Sequence, residues 1–246
     1  MFQLLLRRVM ITVLTACLVY ASADAADQST ASPVSAYALR EGTNEFGIWG
    51  GGSPDSNVAI GETPDTSMLL FGLRYGRVLK AWDSVSLEYT FDLLPAAVVF
   101  QPSSVRNGTG SASIYGAGIT PFGLKLNFGQ QSWIKPFVAA SVGFLYFTED
   151  VPVPDSSRFN FTPELGLGAQ FFLTPKTAIT VGYKYFHISN ANTGHNNPGL
   201  DNNVIYAGYS FFTPQNGRRM GRGTACRAPT AAANATFVIF PEPRHQ

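Results

Sequence analysis

Eight stretches of alternating residues, rich in aromatics and glycine, follow one another along this chain, and the connections between them are long and short in turn. The stretches fall at about 45–52, 67–79, 84–94, 111–127, 135–147, 157–173, 176–190 and 201–212. The first connection is "GSPDSNVAIGETPDT" and the second only "KAWD". A longer link with "QPSSVRNGTG" precedes "GQQSW", "TEDVPVPDSS" precedes "TPK", and "ANTGHNNPGL" comes last. A soluble sandwich has no reason to collect its long loops at one end. An antiparallel barrel in a bacterial outer membrane does so, with long loops outside and short turns in the periplasm. The expected fold is therefore all-β, an eight-stranded antiparallel transmembrane β-barrel over residues 45–212.

The strand faces agree with this. In "FVAASVGFLYF" one parity holds Phe137, Ala139, Ser141, Gly143, Leu145 and Phe147, and the other Val138, Ala140, Val142, Phe144 and Tyr146. A barrel of eight strands has a narrow interior filled by side chains, so the set with small residues is expected inside and the larger set outside. Pro95 and Pro121 interrupt two strands, which must bend, bulge or stop there. Trp82 and Trp133 both fall at expected periplasmic turns, as an interfacial girdle would place them. Only 13% of the residues are charged, about half the usual share, which is too few to cover a soluble domain. The net charge of +1 gives nucleic-acid binding no electrostatic support.

The ends of the chain read differently. Arg7 and Arg8, an apolar run from Val9 to Tyr20, and Ala23-Asp24-Ala25 form an export signal over residues 1–25. "LTAC" at Cys17 offers lipoprotein processing as the competing reading. Residues 26–44 read as a flexible lead, and residues 213–246, rich in Arg, Ala and Pro, as a disordered periplasmic tail. Two cysteines, Cys17 and Cys226, define neither a disulfide framework nor a metal site.

One strand ends against its own pattern. The apolar face of Ile179, Val181, Tyr183 and Tyr185 continues into His187 and Ser189. Residues i and i+2 of a strand share a face, about 6.6 Å apart, so an imidazole there can reach the hydroxyl. Asp201 opens the next strand on the parity of Ile205, Ala207, Tyr209 and Phe211. Carboxylate, imidazole and hydroxyl at one level are the parts of a serine hydrolase. With the first strand running up from the periplasm, His187 and Ser189 lie near the outer end and face lipid, while Gly182 and Lys184 face the interior. The plainer reading is a pair of interfacial polar residues. Glu88, Asp92 and Glu164, with Lys184, Arg74 or Lys125, are expected to form a structural charge network in the lumen. His195 is expected to be solvated.

The segment "FHISNANTGHNNPGLDNNVIYAGYSF", from Phe186 to Phe211, resembles the C-terminal motif of the lipid A 3-O-deacylase (PagL) family. "YGAGITPFGLKLNF" and "FNFTPELGLGAQFFLTP" also resemble its strands, and the resemblance runs from about residue 45 to 212. It implies an eight-stranded outer-membrane barrel hydrolysing the ester-linked hydroxyacyl chain at the 3-position of lipid A. His187 would be the base, Ser189 the nucleophile, and the Asn190 side chain an oxyanion donor. Asp201 stands where the best-known form has Glu. Asn192 stands where a glycine would offer its N–H to the oxyanion, a role that needs Asn192 to tolerate the local backbone. The partner implied is lipid A or lipopolysaccharide in the outer leaflet, with no metal and no cofactor. A homodimer is compatible with a sequence that does not define oligomeric state. The alternatives are a non-catalytic barrel, acting as a channel, adhesin or structural protein, and a surface phospholipase using the same residues.

Overall fold

The computed structural model describes residues 36–108 and 110–213. Every regular element among them is a strand: β1 (Asn44–Ser53), β2 (Ser56–Asn57), β3 (Ser67–Ala81), β4 (Val85–Gln101), β5 (Ala112–Phe128), β6 (Ile134–Val151), β7 (Ser157–Thr174), β8 (Thr177–Ile188) and β9 (Leu200–Thr213). The eight long strands pair antiparallel in chain order, and β1 pairs with β9 from Asn44↔Thr213 to Gly52↔Ile205. That last ladder closes the barrel and removes both sheet edges. The two-residue β2 lies in the first long loop and pairs with Asp201 and Asn202 at the outer start of β9.

The expected strands are found, with several boundaries moved, among them the end of the fifth, which runs on from 147 to Val151 as β6. The third expected strand runs on past Pro95 to Gln101, because the β4–β5 register shifts between Leu94 and Ala97 and takes up the proline in a bulge. Pro121 sits in a similar shift between Ile119 and Phe122. The seventh expected strand, β8, ends at Ile188 rather than 190, and Ser189 forms a lone bridge with Phe161. The lead expected to be flexible to residue 44 is packed over its described part. Leu39 is buried with Val78, Phe172, Ala178 and Phe212, and its N–H donates to Gln130 Oε1 at 2.9 Å. The expected export signal, Cys17 and the tail after Thr213 lie outside the described residues.

The two faces of the wall separate by chemistry. Phe122, Leu124, Leu165, Val181, Ile205 and Tyr209 are exposed on the outside, as lipid-facing positions are. Trp82 and Trp133 are exposed at the short-turn end. On β6, Phe137, Gly143, Leu145 and Phe147 point inward. Within the lumen, the half nearer the short turns holds ion pairs. Lys125 meets Glu45 at 2.6 Å and Glu88 at 3.0 Å, Lys184 meets Glu164 at 2.8 Å, and Arg74 makes a two-toothed contact with Asp92. Lys184 also lies 4.2 Å from the Trp49 ring centre. The half nearer the long loops is mostly apolar, filled by Val99, Ile114, Leu145, Phe147, Phe186 and Ile188, with the equally buried Asn160, Thr162 and Asn202 among them.

Candidate functional site

The site grows out of the β8–β9 ladder at its outer end. His187 stands directly opposite Asp201 in that ladder, on the outward parity. The ring Nδ1 and Asp201 Oδ1 are 2.5 Å apart. A carboxylate only accepts, so Nδ1 carries the proton, and Nε2 of the neutral ring is left as the acceptor. His187 is 9% exposed and Asp201 is completely buried.

A buried carboxylate needs donors for its remaining lone pairs. They come from the loop between β2 and β3. Asp201 Oδ2 accepts from three successive main-chain N–H groups, those of Ala59 at 3.0 Å, Ile60 at 2.7 Å and Gly61 at 2.9 Å. The loop is pinned to the β8–β9 connection: Glu62 N–H donates to Pro198 O at 2.7 Å, and Thr63 Oγ1 to Gly199 O at 2.8 Å. Two glycines make this approach. A Cβ on Gly61 would lie 2.7 Å from the Gly199 carbonyl carbon. Gly199 itself has φ +67°, and a Cβ there would lie 3.0 Å from His187 Cε1.

Ser189 keeps the outward parity. Its backbone is held by Phe161, with Phe161 N–H donating to Ser189 O at 2.7 Å and Ser189 N–H to Phe161 O at 3.1 Å. The Phe159 and Phe161 rings meet edge to face at 5.3 Å, and Phe144 lies 5.7 Å from Phe159. The hydroxyl therefore stands beside an aromatic, lipid-facing surface. Among the described residues its hydrogen bonds are with the loop: it donates to Asn197 Oδ1 at 3.1 Å and accepts from Ala191 N–H at 3.2 Å. None runs to His187. The structure thus joins imidazole and carboxylate and turns the hydroxyl toward Asn197.

The two expected oxyanion residues differ in placement. Asn190 is completely buried, and its Nδ2 donates to Asn196 O at 2.8 Å, so that side-chain donor is already engaged. Its main-chain N–H instead points at Asn197 Oδ1, at 3.0 Å. Asn192 has φ +61°, after Ala191 at +53°, so it does adopt the left-handed backbone its position demands. Its Oδ1 accepts from Asn197 Nδ2 at 3.1 Å.

Other charged residues take structural places. Glu88, Asp92 and Glu164 are paired in the lumen with Lys125, Arg74 and Lys184. Glu45 is the member that sequence reasoning missed, although it shares the inward parity of Trp49. Also missed were the 59–61 loop segment and Asn197. His195 is exposed in the last long loop.

A family model described as "Lipid A 3-O-deacylase (PagL)" matches residues 69–210. No curated protein matches the chain. Among solved structures, the outer membrane enzyme PagL aligns at 19% identity over 67% of this chain and 97% of that one, with a TM-score of 0.48. The N-terminal β-barrel domain of OprF from Pseudomonas aeruginosa aligns at 12% identity over 71% and 100%, with a TM-score of 0.43. Neisserial surface protein A aligns at 16% identity over 70% and 97%, with a TM-score of 0.41.

Proposed function

The chain belongs to the lipid A 3-O-deacylase (PagL) family of the bacterial outer membrane, and from that premise we propose that it is a serine esterase releasing the 3-O-linked hydroxyacyl chain of lipid A. The observation that carries this reading is the His187–Asp201 pair. An imidazole at 2.5 Å from a fully buried carboxylate stands two residues from a serine, on the outer end of the lipid-facing wall. A lipid ester in the outer leaflet reaches that surface without entering the lumen.

The steps follow from the groups present. Ser189 Oγ attacks the ester carbonyl carbon, and its proton passes to His187 Nε2. The bond from that carbon to the sugar oxygen breaks, and His187 returns the proton to the departing oxygen. Water then attacks the acyl-serine as His187 takes its proton. The bond to Oγ breaks, Ser189 recovers the proton, and a hydroxy fatty acid leaves. Asp201 stays ionised throughout, holding the ring in the Nδ1–H tautomer and stabilising the imidazolium. Asp is one methylene shorter than Glu, and the three N–H groups of residues 59–61 supply a seat suited to the shorter side chain.

The test is mass spectrometry of lipid A and total phospholipids from cells expressing the protein in an outer membrane without such an activity. The wild type removes one hydroxyacyl chain from lipid A, and the Ser189→Ala and His187→Ala barrels, though folded, remove none. Retention of full deacylation by both variants would end this reading. Loss of acyl chains from phospholipid alone would move the substrate to that class.

A further inference from the structure

We propose that the tip of the loop between β2 and β3, Val58 to Ile60, is inserted among the acyl chains of the outer leaflet, and that this lipid contact keeps the seat of Asp201 closed. The insertion needs only the barrel. Its effect on rate rests on His187 and Asp201 being the catalytic pair of the reading above.

Among the described residues of the long loops, Val58 and Ile60 are the exposed large apolar side chains, at 64% and 73%. Ile60 is more exposed than the lipid-facing Phe122 and Leu165, at 68% and 62%. The polar groups of the loop point the other way. The N–H groups of Ala59, Ile60 and Gly61 all donate to Asp201 Oδ2, and Asn57 Oδ1 accepts from Asn203 Nδ2 at 2.9 Å. Asp201 and Asn203 stand on the outward parity of β9, with Ile205 and Tyr209. The tip therefore lies across the outside of the wall, with its backbone turned to the protein and its two apolar side chains turned away.

Depth puts the tip in lipid. From the exposed Phe211 near the short turns, the tilted β9 climbs about 25 Å to Asp201, the height of the apolar band of such a barrel. Val58 and Ile60 thus continue the lipid-facing surface of Ile205 at its upper edge. Water there would wet two aliphatic side chains, whereas acyl chains accept them without that cost. The base of the loop is clamped by the protein itself: Ser56 Oγ donates to Thr63 O at 2.9 Å and accepts from Thr66 N–H at 3.0 Å. The outer side of the tip faces only the leaflet, so lipid presses the three N–H donors onto the carboxylate.

The test places a tryptophan on the tip of the full-length barrel, reconstituted in phospholipid vesicles. The fluorescence that Ile60→Trp adds to the wild type is quenched by phospholipid brominated on its acyl chains, as is that added by Ile205→Trp on the wall, and is sheltered from aqueous iodide. Ser104→Trp, at an exposed position of the β4–β5 loop, gives the opposite pattern. Quenching of the Ile60→Trp signal by iodide and not by brominated lipid overturns the insertion. A tip made for a protein partner gives that same result, because the vesicles hold no other protein. If Ile60→Trp does not fold, as judged by heat-modifiable migration, Val58→Trp takes its place with the same expected pattern. The second arm is fatty-acid release from lipid A in the same vesicles. Ile60→Asp, whose charge is kept out of the acyl layer, lowers the rate about tenfold by loosening the seat of Asp201. Ile60→Leu keeps the wild-type rate, and so does Asp65→Asn, an exposed position of the same loop. A full rate for folded Ile60→Asp overturns the hold on Asp201. No release by the wild type ends the esterase reading and with it the effect on rate, while the quenching still decides the insertion.

Discussion

His187 and Asp201 face each other across the β8–β9 ladder, and the carboxylate that holds the ring is itself held by three main-chain N–H groups from a loop about 140 residues away in sequence. One oxygen of Asp201 thus serves the imidazole and the other is saturated by the protein. This division has a direct consequence. Asp201→Asn presents an amide that cannot accept on both sides as the carboxylate does, so the tautomer and the imidazolium both lose support. Deacylation falls by about 10²–10⁴-fold, the usual worth of positioned acid–base catalysis, while the barrel stays folded. Asp201→Glu also loses activity, because the extra methylene does not fit between the 59–61 donors and the ring. Fatty-acid release measured on both variants checks this. Full activity of the Asn variant would place the third member of the triad elsewhere.

Gly199 sets the height of the loop under His187. Its φ of +67° costs a residue with a Cβ about 1–2 kcal/mol, and the added carbon would lie 3.0 Å from His187 Cε1 and 3.1 Å from Gly61 Cα. Gly199→Ala should therefore lower deacylation about tenfold by displacing the ring or the loop that seats Asp201. Gly108 provides the comparison. It has φ +78° with nothing within 4 Å of a built Cβ, so Gly108→Ala carries the backbone cost and leaves the activity of the folded enzyme unchanged. Equal activities of the two variants would show that Gly199 has no part in the site.

Most of the fold was legible because its signals are periodic. Alternation assigns inward and outward sets, and connection length separates the two ends of the barrel. Pro95 misled at one boundary, since a bulge lets β4 continue where a flat strand would stop. The pairing of His187 with Asp201 was legible for the same reason of parity, whereas the Ser189 hydroxyl, expected within reach of the ring, bonds to Asn197 instead. The donors to Asp201 were not, because every residue but proline carries a main-chain N–H and nothing in "AIG" marks one as a ligand. Asn197 was hidden among the neighbouring asparagines of its loop. Its contact with Ser189 comes after the backbone turn through Ala191 and Asn192, both at positive φ, which alternation does not encode.

The lumen pairs predict where stability resides. Lys125 is 1% exposed between Glu45 and Glu88. Lys125→Met leaves two buried carboxylates without their cation, which costs about 3–5 kcal/mol and lowers the urea midpoint of unfolding. The activity of the folded fraction is unchanged, since the network lies below the apolar layer and touches no site residue. The Lys80–Glu41 pair at the short-turn end has side chains about half exposed, at 53% and 50%, so Lys80→Met leaves the midpoint where it was. A Lys125→Met midpoint equal to that of Lys80→Met would mean the buried network contributes nothing to stability.

The apolar layer decides between an enzyme wall and a pore. A small barrel conducts only if a polar path runs from end to end, and here the outer half of the lumen is closed by Phe147, Phe186, Leu145, Ile188, Val99 and Ile114, each at 0% exposure. At the other end Leu39 packs between Val78, Phe172 and Phe212 and covers the opening. An ion crossing these layers would shed its water in a tightly filled space, among mostly apolar side chains with only Asn160, Thr162 and Asn202 as polar neighbours. Reconstituted wild-type protein should therefore show no steady conductance steps in planar bilayers. Phe147→Ala should cost about 3–5 kcal/mol in stability before it opens any path, because neighbouring side chains relax into the space. Regular conductance from the folded wild type would contradict the sealed lumen and favour a channel.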